Sequence, residues 1–548
     1  MKKFKMKLFL TGSLLILFLT GFYAGKGDIY FEISKNLELF GRVYKEISIH
    51  YVDDVDPEQF MRAGIRGMLS SLDPYTIFID EKKKEDIDLI TNGKYGGIGI
   101  SIGVRGDDVT VVEIMDGYSA QRQGVQIGDI IIEAGGVLIN SVNVDEISSL
   151  VKGEPGTTIG LRIVRNELRD TISFDLVREE VIVKNLTFAG FYPENSNNVV
   201  LKLSNFSRSA SDELKNTLRD LKAQKEIHSV ILDLRNNPGG LLDIAVDICN
   251  KFIKKDQLIV TTKGRDDSDL KSYFSMEEPL MGNANLIVLI NGGSASASEI
   301  VAGAIQDHDR GIILGTKSFG KGLVQTITPL SFNTSLKITT AKYYTPSGRS
   351  IQKVDYSEDS DVIRTDNLES EKSYLTDNKR EVFSRGGITP DTTIDYSVNG
   401  DLTRDLLAKG YFFKFANYYY YKFPTREFSQ IDDKKLLSEF NDYLTNENYI
   451  YQSQVEKEIV KLISEVSEKD QNLADELKAI EGELEKLYKS EYRLFEDEIT
   501  GEIKAELASR YIGMEGRIVE QFTRDTQVQT AINILQDKKV YNRLLNVR

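Results

Sequence analysis

The chain has 548 residues, 41% of them hydrophobic, with a formal net charge of -15, three histidines and one cysteine. That length exceeds what a single hydrophobic core organises, so three or four units are expected. The acidic balance argues against a nucleic-acid partner, because phosphate binding needs a basic surface, and a lone cysteine excludes any intrachain disulfide.

Taken in chain order, Lys2, Lys3, Lys5 and Lys7 precede an uncharged run from Leu8 to Gly25. A basic flank followed by an apolar stretch is read as an export signal over 1–25, either cleaved or retained as a membrane anchor. No cysteine follows it, which excludes a lipoprotein anchor, and no clean A-x-A site precedes Ala24, which favours the retained form. The expected location is the periplasm or the outer face of the cytoplasmic membrane. Residues 26–92 carry helical spacing, as in PEQFMRAGIRGMLSSL (57–72). From 93 to 180 short β-rich runs (GIGISI, DVTVVEI, TIGLRIV) alternate with glycine turns, and VDEISSLV adds one helix.

Between 181 and 397 strands alternate with helices: NVVLKLSNF then SASDELKNTLRDL, HSVILDLR then GGLLDIAVDICNKFI, NANLIVLIN then SASEIVAGAIQD. This alternation predicts a layered α/β domain with its functional residues in the loops at strand ends. Cys249 falls on the buried face of one of these helices. Residues 398–548 turn aromatic in YFFKFANYYYYKF, read as core, and then charged and helical. There Leu473, Leu477, Ile480, Leu484 and Leu487 form a short heptad seam, which suits either a neighbouring helix of the same chain or a subunit interface.

The chemistry concentrates in the α/β region. Of the histidines, His50 and His228 have no partner pattern, and His308 ends the helix that begins near Ser296. Twelve residues of helix span about 18 Å, so His308 cannot serve a hydroxyl at the helix start. In NGGSASASEIVAGAIQ a strand delivers small residues to a helix N-terminus, the geometry of a nucleophile elbow. The same residues, Ser296-x-x-Glu299, also spell a capping box, so Ser296 reads as a nucleophile or as a plain N-cap. Ser294 and Ser298 are read as small neighbours that let a substrate backbone approach. In SFGKGLVQ (318–325), Lys321 lies between two glycines with no carboxylate beside it in sequence. Burial there disfavours the ammonium, and a neutral amine can take a serine proton. Gln325, four residues on, returns to the same face. In LDLRNNPGG (232–240) the glycine N–H groups, with that of Ala297, are candidates for an oxyanion hole; a plain strand-to-helix turn is the alternative.

Together LDLRNNPGG, NGGSASASEIVAGAIQDHDRGIILG, SFGKGLVQ, YYTPSGRSIQ (343–352) and GGITPD (386–391) resemble the carboxyl-terminal processing proteases, serine peptidases of family S41. The resemblance covers about 50–400 and implies Ser296 as nucleophile, Lys321 as general base and Gln325 as its orienter. It also implies oxyanion donors at Gly239, Gly240 and Ala297, in a crotonase/ClpP-like α/β core within an α/β (α+β) multidomain chain. The β-rich region resembles a PDZ domain. GGIGISI matches its carboxylate-binding loop, which implies Gly97, Ile98, Gly99 and Ile100 as the cradle for a peptide C-terminus. The implied activity is endoproteolysis of protein substrates with exposed C-termini, through an acyl-enzyme. A homo-oligomer or an adaptor protein is a further partner compatible with the resemblance. No metal or organic cofactor is expected, since no His/Cys/Asp cluster has metal spacing. Two rivals are a non-catalytic PDZ adaptor and a crotonase-type enzyme acting on acyl-CoA.

Overall fold

The computed structural model describes residues 29–80, 91–105, 108–139, 144–165, 171–354, 356, 372–395, 399–466, 471–491 and 495–547. The run read as an export signal lies outside the described residues, and no described helix is long and apolar enough to cross a membrane. The chain divides into a small unit and a large one.

The small unit comprises residues up to Asp80 together with Gln325–Thr339 and a short later piece. Its helix Pro57–Ser70 starts where the sequence dictates. Asp56 accepts the N–H groups of Glu58 and Gln59 at 2.8 and 3.1 Å, and Pro57 stands where a missing N–H costs nothing. Strand Ile77–Ile79 pairs antiparallel with Ser335–Lys337.

In the large unit, the β-rich module forms one antiparallel sheet. Its strands Ile100–Arg105, Asp108–Ile114, Ile130–Ala134, Thr158–Val164 and Thr171–Val177 lie in that spatial order. Alternate residues of these strands, among them Val111, Ile131, Leu161, Ile163 and Leu176, close a core with Ile147 of helix Val144–Val151. Ile100–Arg105 is the edge strand, bonded on one side only among the described residues.

The α/β core is a six-stranded sheet in the order Leu186–Phe191, Asn198–Leu203, Ser229–Asp233, Asn285–Ile290, Ile312–Gly315, Thr392–Thr393. The first pair is antiparallel and the rest are parallel. Val199, Leu201, Val230, Leu232, Leu286 and Val288 face helices Ala210–Gln224, Leu242–Cys249 and Ala297–Asp307. Their alternates Val200, Ile231, Ile287, Leu289, Ile312 and Leu314 face the other way, against Ile518, Phe522, Val528, Ile532 and Leu535. A strand buried on both faces must be apolar throughout, which is why NLIVLI reads as a continuous hydrophobic run. Cys249 is fully buried in helix Leu242–Cys249, and burial pushes its thiol up.

The second face of the sheet is therefore covered by helices Met514–Phe522, Thr526–Gln536 and Lys538–Leu544, although the recognisable motifs stop near residue 391. The hydrophobic core does not end where the motifs end. Upstream, the aromatic stretch becomes helix Tyr411–Lys422, whose Phe412, Phe415 and Tyr419 pack with Leu436, Phe440 and Ile499 in a separate core. The same helix touches the β-rich module: Tyr421 donates to Gln126 Oε1 at 2.9 Å, and Arg105 lies 5.4 Å from the centre of the Phe413 ring. Of the heptad seam, Leu473 is 43% and Ile480 50% exposed, so the neighbouring helix Gln454–Val466 does not bury it.

Phe522 is 2% exposed and meets Phe188 and Tyr192 edge-on, each at 5.2 Å between ring centres. Phe522→Ala is expected to destabilise the core by about 3–5 kcal/mol, read as a lowered urea midpoint for the tertiary signal of the α/β core.

Candidate active site

Strand Asn285–Ile290 ends at Asn291, and helix Ala297–Asp307 begins six residues later. Ser296 stands between them at φ 56° and ψ −113°, on the side of backbone space that strains a residue with a Cβ. Its carbonyl takes the N–H groups of Glu299 and Ile300 at 2.8 and 3.0 Å, which pins the strained residue to the first helical turn. The side chain is half-buried.

The serines on either side do different work from that expected. Ser294 and Ser298 are fully buried and hydrogen-bonded within the protein. Ser294 Oγ donates to Leu234 O at 2.8 Å and accepts Asn291 N–H at 2.9 Å. Ser298 Oγ donates to Asn237 O at 2.9 Å, beside Ala295 N–H at 3.0 Å. They stitch the serine loop to the LDLRNNPGG turn, where a larger residue would lose the bond and the fit.

Glu299 forms the capping box with Ser296, taking its N–H on Oε2 at 2.9 Å. The same carboxylate also binds SFGKG. Oε1 accepts Ser318 Oγ at 2.6 Å and Gly320 N–H at 2.7 Å, and Oε2 accepts Lys321 N–H at 2.9 Å. Burial is complete and pushes the carboxyl up to about 7, against these four donors. No carboxylate stands beside Lys321 in sequence, but Glu299, 22 positions upstream, supplies one to its backbone N–H. Tyr343, 1% exposed, adds a second tie: its hydroxyl contacts the carbonyl of Lys321 and lies 3.2 Å from that of Ser296. Sequence reading missed both roles, since the capping box disguises Glu299 and Tyr343 sits in an ordinary strand.

Gln325 lies on strand Leu323–Pro329 and gives its amide N–H to Thr339 Oγ1 at 3.3 Å. Thr339 in turn donates to Asp73 of the MLSSLDPYT stretch at 3.2 Å.

In the LDLRNNPGG turn, Gly239 has φ 98°, and a Cβ there would stand 2.6 Å from Ala295 O and 2.9 Å from Ser296 Cβ, so only glycine fits against the serine. Of the expected oxyanion donors, the N–H groups of Gly240 and Ala297 have no acceptor among the described residues. The Gly239 N–H does not share this freedom, because it is donated to Asn237 Oδ1 at 2.9 Å. The turn begins with a buried pair in which Arg235 makes two bonds to Asp233, Nε to Oδ1 at 2.8 Å and Nη2 to Oδ2 at 2.7 Å. Burial works against the Asp233 charge, and the guanidinium overcomes it and leaves the carboxyl below the usual range.

The remaining motifs brace the far end of the helix. Arg349, fully buried, donates to Gln306 Oε1 and Asp307 Oδ1 at 2.8 Å. Asp391 accepts Gln306 Nε2 at 2.8 Å and Ile313 N–H at 2.7 Å. In the β-rich module, Gly97 ends a strand paired with Glu179, and Ile100 begins the edge strand. Between them the Ile98 and Gly99 N–H groups have no acceptor among the described residues, while the two carbonyls are bound by Ala120 and Met115.

Comparison with known proteins finds four family models along the chain. They are the CtpB N-terminal domain model over 25–83, the PDZ domain over 86–164, peptidase family S41 over 198–362 and the C-terminal helical domain of a probable PDZ-protease over 402–535. A carboxy-terminal-processing protease of Bartonella bacilliformis is 38% identical over 328 residues, covering 59% of this chain and 74% of the relative. A probable CtpA-like serine protease of Staphylococcus aureus is 33% identical over 320 residues, covering 58% of this chain and 62% of the relative. Among solved structures, the photosystem II D1 C-terminal processing protease aligns with 24% identity and a TM-score of 0.35, over 65% of this chain and 87% of that one.

The Glu299 carboxylate yields a prediction for stability. A carboxyl whose pKa rises from 4.5 to about 7 on folding favours the folded state below pH 4.5, and that contribution, on the order of 3 kcal/mol, is lost as pH rises through about 7. Glu299→Gln removes this slope. Its single carbonyl can accept at most two of the four donors, leaving the others facing an NH₂ group at about 1–3 kcal/mol each. Thermal melts between pH 5 and 8 are expected to show a lower midpoint and a flatter pH profile in the variant.

Proposed function

The chain belongs to the S41 family of carboxy-terminal processing peptidases and is a serine-type peptidase, and on that premise we propose that Ser296 and Lys321 form its catalytic dyad. The observation that supports this most strongly is the shared carboxylate: Glu299 binds the backbone N–H of both residues at 2.9 Å, so the two positions are set by one group. Ser296 Oγ attacks the scissile carbonyl as the Lys321 amine takes its proton, and the amine then protonates the leaving nitrogen. The acyl-serine is hydrolysed by water activated in the same way. The N–H groups of Gly240 and Ala297 stabilise the tetrahedral oxyanion, and Gly239 joins them only by releasing Asn237. Gln325 keeps its assignment as orienter on sequence alone.

Substrate capture fits the β-rich module. An extended peptide adds to the open edge of Ile100–Arg105 beside helix Val144–Val151, and its terminal carboxylate meets the Ile98 and Gly99 N–H groups. Gly97 and Ile100 complete that loop. The substrates are therefore proteins presenting a free C-terminus. Export to the periplasm or the outer membrane face, with an N-terminal anchor, rests on the Lys-flanked apolar run. Self-association through the half-exposed seam, or an adaptor on it, belongs to the same reading.

Two measurements test the proposal. Ser296→Ala and Lys321→Ala are each expected to lower cleavage of an unstructured C-terminally exposed peptide by about 10⁴-fold or more, and Ser296→Ala to abolish labelling by a fluorophosphonate probe. Cleavage by the lysine variant at the unsubstituted rate would end the dyad assignment. Amidating the substrate C-terminus is expected to raise KM at least tenfold with kcat little changed; an unaltered KM would remove the capture role of the module.

A further inference from the structure

The helical extension reaches the catalytic turn through one side chain. Arg235 opens the turn that carries Gly239 and Gly240, and its residue is 8% exposed. Nε and Nη2 are taken by Asp233 within the turn. Nη1 goes to a segment about 290 residues later: to Gln527 Oε1 at 2.9 Å, and to Asp525 at 3.0 Å on Oδ1 and 2.8 Å on Oδ2. Both partners are themselves fixed. Asp525 caps helix Thr526–Gln536 by accepting the N–H groups of Gln527 and Val528 at 3.0 and 3.1 Å. Gln527, 1% exposed, donates its Nε2 to Ile394 O at 2.7 Å.

We infer that Asp525 and Gln527 of the C-terminal extension are positioning residues for the catalytic centre, acting through Arg235 on the oxyanion turn. Downstream of Arg235 the turn is anchored to the serine loop and to the end of strand Asn198–Leu203, where Asn237 Nδ2 donates to Leu203 O at 2.8 Å and Gly239 O accepts Phe206 N–H at 3.2 Å. Asn236, at φ 58°, gives its N–H to Asn291 Oδ1 at 2.9 Å, and Asn237 O accepts Ala295 N–H and Ser298 Oγ. The Arg235 clamp adds what those bonds lack, a tie at the start of the turn to the helical extension. Gly239 packs against Ser296 with no room for a methyl group, so a shift of the turn moves the Gly240 N–H relative to the serine. Misplacement by about 1 Å is enough to cost roughly two orders of magnitude in rate. The inference rests on the proposed roles of Ser296 and the turn.

Its test uses the full chain. Asp525→Asn keeps an oxygen for the helix cap and removes the charge facing Arg235; Gln527→Met removes the second acceptor at similar length. Peptide cleavage, fluorophosphonate labelling rate and thermal midpoint are measured for each variant and the pair. The pair is expected to lose at least tenfold in kcat and in labelling rate, with KM within twofold and the active-site titre unchanged. Asp525→Glu is expected to recover part of the loss, and Asp525→Asn to add little on an Arg235→Lys background. A pair variant with kcat within twofold of the unsubstituted protein would overturn the inference alone. So would a loss accounted for entirely by a reduced titre of folded sites. An unsubstituted protein that neither cleaves nor labels, or that does so equally after Ser296→Ala, would overturn the reading of Ser296 and this inference with it.

Discussion

One buried carboxylate decides where two separate stretches of chain, 296–299 and 318–321, meet. Glu299 stands in the first turn of its helix, in a place where an N–H-rich helix start favours a negative charge, and it collects donors from Ser296, Ser318, Gly320 and Lys321. Four donors on two oxygens leave it little freedom to rotate. The strained backbone of Ser296 is held in place by this arrangement, because its N–H and its carbonyl are both committed to the helix that follows. A carboxylate so deep in the protein is costly in itself, and its hydrogen bonds are what allow it to remain there. Tyr343 adds a tie within this lattice, and the two flanking serines extend it to the LDLRNNPGG turn.

Much of this was legible in the sequence, for identifiable reasons. Alternating strands and helices gave the α/β layering because apolar runs such as SVIL and NLIVLI can only be strands covered on both sides. The capping-box spacing placed the helix start at Ser296, since the pattern reads a local interaction. What escaped were contacts between residues far apart in the chain. Nothing near Glu299 announces that 318–321 returns to it. Ser294 and Ser298 looked like small spacers because hydroxyls that bond a distant backbone leave no local trace. The freedom of the Gly239 N–H was overestimated for the same kind of reason: its acceptor is the Asn237 side chain two residues away, a turn-level detail that composition does not encode.

The largest omission concerned the extension after residue 398. Charged, helical and without catalytic motifs, its final part gives no sign in sequence of contact with the central sheet, yet its last three helices supply the second face of that sheet. A parallel sheet needs cover on both sides, and the motif-bearing region supplies helices for only one. Isolating the motif-bearing region would leave Val200, Ile231, Ile287 and Leu314 facing water. The same extension, through Tyr421 and Phe413, contacts the β-rich module, so it touches both that module and the central sheet.

In the proposed mechanism, the bond between Gly239 N–H and Asn237 Oδ1 has a consequence for selectivity between states of one reaction. An amide oxygen already occupying a donor is an internal competitor for whatever oxygen arrives from outside. A neutral substrate carbonyl competes with it on roughly equal terms and gains little by displacing it. A tetrahedral oxyanion is charged, and hydrogen bonds to a charged acceptor are about twice as strong, so it wins the donor. A turn used in this way contributes its third hydrogen bond only when negative charge has formed. The competitor thereby converts a uniform binding contact into one felt chiefly by the transition state, which is the form of interaction that raises turnover rather than ground-state affinity.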